Sequence, residues 1–113
     1  MVIFISQMAT VPSTILHYDE YGHLKNSFGG RGVGDKYFDN AHGICIDTRH
    51  HTPTLLITDR TRMAFKRFSL DGKLLEVIKL PGACVCRPVI KDDYLYAAVL
   101  RSPNLDLSLI HIS

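Results

Sequence analysis

The chain has 113 residues, 46% of them hydrophobic, and a net charge of +2, so it is at most one domain with enough apolar side chains for a core. Its basic residues are scattered, and the composition carries no electrostatic footprint for nucleic acid or for a membrane surface. The three cysteines, Cys45, Cys84 and Cys86, include no C-x-x-C pair; they fit neither a disulfide framework nor a zinc ribbon and read as small apolar filler.

In chain order, the opening MVIFISQMATVPST lacks a basic n-region and a long apolar core, so it predicts a strand rather than a signal peptide or a membrane span. HYDEYGHLKNSF, from His17, is a strand, a turn and a strand, with Gly22 where a tight hairpin needs positive φ. The next stretch, FGGRGVGDKYFDNAHGICID, spans Phe28 to Asp47. A pyrophosphate cradle needs G-x-G-x-x-G opening a helix, whereas Gly30, Gly32 and Gly34 alternate singly and lead into the strand-like GICID. The loop is therefore read as a connector.

HGICID and TLLITD predict neighbouring strands, and TRHHTPT between them sets His50 and His51 on an extended loop where adjacent side chains diverge into solvent. MAFKRFSL and GKLLEVIKL predict two more strands about the Asp71-Gly72 turn. Lys73, Glu76 and Lys79 on the last of these blunt an outer edge, and RTRMAFKRF is expected to be a solvated face. ACVCRPVIKDDYLYAA begins the pattern again.

The chain repeats itself. His17–Phe28 superposes on Arg67–Ile78 at an offset of 50 without gaps, pairing Tyr18 with Phe68, Gly22 with Gly72 and Leu24 with Leu74. His42 aligns with Ala83, Leu55 with Leu95, and Ile3–Ser6 with Leu55–Thr58. Repeats of about 40 to 50 residues holding four strands are the signature of β-propeller blades. The expected fold is all-β, built of antiparallel four-stranded β-propeller blades: part of a blade over 1–34, a blade over 35–80 and the start of another over 81–106, about two blades of a six-bladed ring. The last seven residues, LSLIHIS (107–113), resemble the translation of a sequencing-adapter end and are expected to be non-native, which removes His111 as a ligand.

The syntax SFGGRGVGDKYFDNAHGICID…LLITDRTRMAFKRFSLDGKLLE resembles the NHL-repeat six-bladed propellers, in particular bacterial propellers similar to the lyase that cleaves peptidyl-α-hydroxyglycines. The resemblance runs to about Asp106. It implies that His42, in the place of the family's inner-strand histidine, is a metal ligand facing a central channel, and that Arg60, in the D-R pair, acts on the substrate. It further implies a divalent metal such as zinc or calcium, a small-molecule or peptide-derived substrate, the remaining blades of the same chain as partners, and a secreted or periplasmic location. Geometry adds one expectation: antiparallel strands put the start of HGICID beside the end of LLITDR, so His42 and Arg60 belong at one end of the sheet. The sequence departs from the family where ISQMATVPST lacks a tyrosine and where Met63-Ala64 replaces an arginine. The alternative is a non-catalytic scaffold that binds a protein or other ligand.

Overall fold

The computed structural model describes residues 2–6, 12–80 and 84–99; the 107–113 tail lies outside them. The described residues form strands β1 (Val2–Ser6), β2 (Thr14–Tyr18), β3 (Leu24–Gly29), β4 (Ala41–Asp47), β5 (Thr54–Asp59), β6 (Ala64–Ser69), β7 (Leu74–Lys79), β8 (Val89–Lys91) and β9 (Tyr94–Tyr96), without a helix. All neighbours pair antiparallel, in three sheets ordered β1-β2-β3, β4-β5-β6-β7 and β8-β9. The chain is all-β, and the four strands expected over HGICID to GKLLEVIKL form one meander in that order.

The 50-residue repeat extends to the backbone. Ser13 and Met63 both have positive φ, 65° and 54°, as do Gly22 and Gly72 in the turns, 84° and 95°. Each turn closes with the same two bonds: Gly22 N–H to Asp19 O and Asp19 N–H to His23 O, matched by Gly72 N–H to Ser69 O and Ser69 N–H to Lys73 O. Gly30 N–H donates to Ser13 O as Leu80 N–H donates to Met63 O. Even the bulge recurs, between His17 and Tyr18 and between Arg67 and Phe68. Similar local chemistry at each position yields the same hairpin twice.

The middle sheet is covered on both faces. Leu55, Ile57 and Phe68 pack with Ile15, Ile3, Ile5 and Phe28 of the first sheet, and Leu56 and Phe65 pack with Val85, Leu95 and Ile90 on the other side. Two-sided burial explains why Leu55, Leu56 and Ile57 form a continuous apolar run instead of alternating with polar residues. It also overturns the solvated reading of RTRMAFKRF. Lys66 is fully buried and Arg67 is 7% exposed, because β6 is an interior strand and its polar side chains are enclosed between layers. Each charge is accordingly paired: Lys66 Nζ lies 3.1 Å from Asp59, and Arg67 lies 3.0 Å from Asp47 and 3.2 Å from Glu76. Lys73, Glu76 and Lys79 are exposed as expected.

Two alignments shift by a few residues. Ile5 faces Ile15 while Thr58 faces Phe65, so β1 matches β5 with Ile3 in the place of Leu56 rather than Leu55. A slip of one residue exchanges the faces of a strand, and the observed register puts Ile3 and Ile5 against the middle sheet. Likewise Ile46 faces Leu55 where Ile90 faces Leu95. The β8–β9 connection is tighter than the β4–β5 loop, so Val85, bridged to Val99, stands near the place of Ala41; Ala83, matched with His42 in the sequence, lies outside the described residues.

Candidate functional site

The end of the middle sheet where β4 starts and β5 ends gathers most of the chemistry. The glycine loop is organised against it. Gly29 and Gly30 have positive φ, 80° and 87°, which turns the chain so that Phe38 N–H reaches Gly30 O and Phe38 enters the core beside Phe68 at 5.7 Å between ring centroids. A Cβ on Gly29 would stand 2.8 Å from the Phe38 ring. Arg62 donates to the carbonyls of Gly32 and Tyr37, Lys66 donates to Tyr37 O, and Lys66 Nζ also stands 5.0 Å from the Phe38 ring centroid. The loop leads into a strand and binds its own protein cations through carbonyls, so it serves as a connector.

Asp59 is the anchor of this end. Its buried carboxylate accepts from the N–H groups of Asp39 and Asn40 at 3.2 and 3.0 Å and pairs with Lys66, with Arg62 at 3.7 Å. Burial is the main influence on Lys66, pushing its ammonium below the usual lysine range against the pull of Asp59. In the D-R pair, therefore, the aspartate holds the loop.

His42 and Arg60 fall at the same end. Ala41 pairs with Asp59 and Gly43 with Thr58, leaving His42 as the extra residue of a bulge, exposed between buried neighbours. Bulges re-aim side chains and are frequent beside functional sites. Arg60 follows directly, with its N–H on Asn40 O at 3.0 Å; its side chain is half-buried and forms no ion pair with Asp59. His50 and His51 are exposed in the β4–β5 loop at the opposite end of the sheet. No group of three or more His, Cys, Asp or Glu side chains among the described residues is placed to hold a metal ion. The described residues thus offer one imidazole here and do not by themselves compose a divalent-cation site.

Beside this pair lies a polar cleft of about 280 Å³ lined by Pro12, Ser13, Arg31, Asp39, Asn40 and Thr61, which neither His42 nor Arg60 lines. Ser13 Oγ accepts from Ala41 N–H at 3.1 Å. The Thr61 hydroxyl donates to Asp39, and Thr61 first, then Arg31, holds the exposed Asp39 carboxyl below its usual range. These residues sit in turns that only pairing brings together, and no sequence motif marks them. The opposite end carries a second network. Asp47, fully buried, accepts from Arg49 Nη2 at 2.7 Å, Arg49 Nε at 2.9 Å and Arg67 Nη1 at 3.0 Å, and Arg67 Nη1 also donates to Thr54 at 2.8 Å. This network locks the β4–β5 loop.

The cysteines are free and half-buried. Burial first, then the nearby Asp47 charge, pushes the Cys45 thiol up to about 11, so it is an inert wall rather than a nucleophile at neutral pH. No protein-family model matches the chain, and no curated protein matches it either.

Proposed function

We propose that the chain is a segment of an NHL-type β-propeller that stacks its sheets around a channel and performs lyase- or hydrolase-like chemistry on a small or peptide-derived substrate. The observation that carries this reading is the 50-residue recurrence of strand, bulge, turn and positive-φ position in sheets that pack face to face, since stacked repeat sheets are how a propeller buries its core. The shared end of His42 and Arg60 supports the site. His42 would contribute one imidazole to a divalent-cation site completed by residues outside those described, and a bound cation would supply Lewis-acid polarisation of a substrate oxygen. Arg60 would orient the substrate through its two-pronged donor geometry, which matches a carboxylate or a polarised carbonyl.

The second reading is a non-catalytic scaffold that binds a protein or other ligand. The protein encoded by the full-length gene separates the two. His42→Ala is expected to lower bound divalent metal measured by plasma mass spectrometry, and Arg60→Ala to keep the metal while weakening turnover or substrate binding. Full metal content in the His42 variant would sink the enzyme reading and leave the scaffold.

A further inference from the structure

We infer that the cleft between β1, β4 and residues 85–88 is a binding site for a small monocarboxylate with an apolar body. The cleft has a volume of about 290 Å³ and is lined by Ile3, Ile44, Cys45, Ile46 and Arg87. That is the small end of the range for ligand clefts, about 300–1,000 Å³, which are typically apolar with a few placed polar groups. Four of the five lining residues are apolar or neutral. Cys45, its thiol held protonated, adds no charge at neutral pH. Ile46 is left 38% exposed on a strand whose neighbour β5 is buried from Leu55 to Asp59, so the cleft presents open aliphatic surface that a hydrocarbon chain would cover.

Arg87 supplies the polar group. Arg31, Arg49, Arg62 and Arg67 each face a carboxylate, whereas the exposed Arg87 guanidinium has no ion pair or hydrogen bond to the described residues. Its position over β4 is built in. A Cβ on Gly43 would lie 2.4 Å from Arg87 Cα and 2.6 Å from its Cβ, so only glycine lets the segment approach, and Thr58 Oγ1 ties it down through Cys86 O at 3.0 Å. A guanidinium at the rim of an aliphatic cleft matches a carboxylate head on an alkyl tail, because its fork donates two parallel bonds to the two oxygens. The inference uses only contacts among described residues and stands whether or not His42 binds a metal.

The test is a calorimetric and NMR titration of the full chain with hexanoate, hexanol and hexylammonium. Saturable hexanoate binding is expected, with shifts at Ile44, Cys45 and Ile46, weakened about tenfold or more in Arg87→Met, the loss typical of a charge-assisted hydrogen bond. Arg87→Lys is expected to retain part of it, and hexylammonium is expected not to bind. Absence of saturable hexanoate binding, equal affinity for hexanol, or unchanged affinity in Arg87→Met would each overturn the assignment. The comparison of hexanoate with hexanol uses unaltered protein and decides the matter even if the Arg87 variant is misfolded.

Discussion

Asp47→Ala tests the packing logic most directly. Asp47 is fully buried and accepts three bonds from Arg49, through its N–H, Nε and Nη2, and one from Arg67. Removing it strands the buried Arg67, whose Nη2 already has no hydrogen-bond partner among the described residues and which would keep Thr54 and the exposed Glu76. Breaking a buried pair by deleting one partner costs about 3–5 kcal/mol; Arg67 retains partial compensation, so about 3 kcal/mol is expected here. Urea unfolding followed by circular dichroism, at several low protein concentrations, measures it. Asp47→Ala with Arg67→Met should cost less than the sum of the single changes, because the pair then leaves together. The pH dependence has a definite sign. Hydrogen bonds from Arg49, followed by those from Arg67, hold the Asp47 carboxyl well below its usual range despite burial. Its contribution is therefore full above the unfolded aspartate pKa of about 3.9 and is lost as pH falls from there toward the folded value. Asp47→Asn should flatten the stability curve in that acid window alone. A loss below about 1 kcal/mol in Asp47→Ala at neutral pH would refute the buried-network argument, since that is the range of exposed pairs.

Gly22 and Gly72 occupy equivalent turns, but a Cβ at Gly72 would meet the Phe28 ring at 2.7 Å whereas none lies within 4 Å at Gly22. Gly22→Ala should cost only the left-handed strain, about 1–2 kcal/mol, and Gly72→Ala a further 1–3 kcal/mol or so for overpacking; equal costs in urea unfolding would deny the sheet-to-sheet contact. Phe38→Ala should cost about 3–5 kcal/mol and raise amide exchange across 30–40, because this ring pins the glycine loop; unchanged exchange there would show the loop to be held otherwise.

The strands β4 to β7 and the two hairpin turns were legible in the residues because they rest on local chemistry. A glycine that permits positive φ closes a turn wherever it is placed, and β-branched runs between such turns extend. The same local signals recur at an offset of 50, so the repeat was legible too. The placement of His42 and Arg60 at one end followed from antiparallel pairing alone. The bulge that makes His42 the extra residue did not, since it arises from how β4 meets β5. Register at β1 was beyond local signals: residue similarity matches IFIS with LLIT from Leu55, whereas the packing of Ile3 and Ile5 against the middle sheet selects the alignment one residue on. Lys66 and Arg67 look like surface residues in isolation. They are interior because a strand's exposure is set by what covers its sheet, and their partners, Asp59 and Asp47, come from other strands of that sheet, the adjacent β5 and the next one over, β4. The close approach over Gly43 is of the same kind. Its glycine is visible in the sequence, but the Arg87 backbone that requires it lies more than forty residues away, where only the tertiary structure could decide which segment arrives.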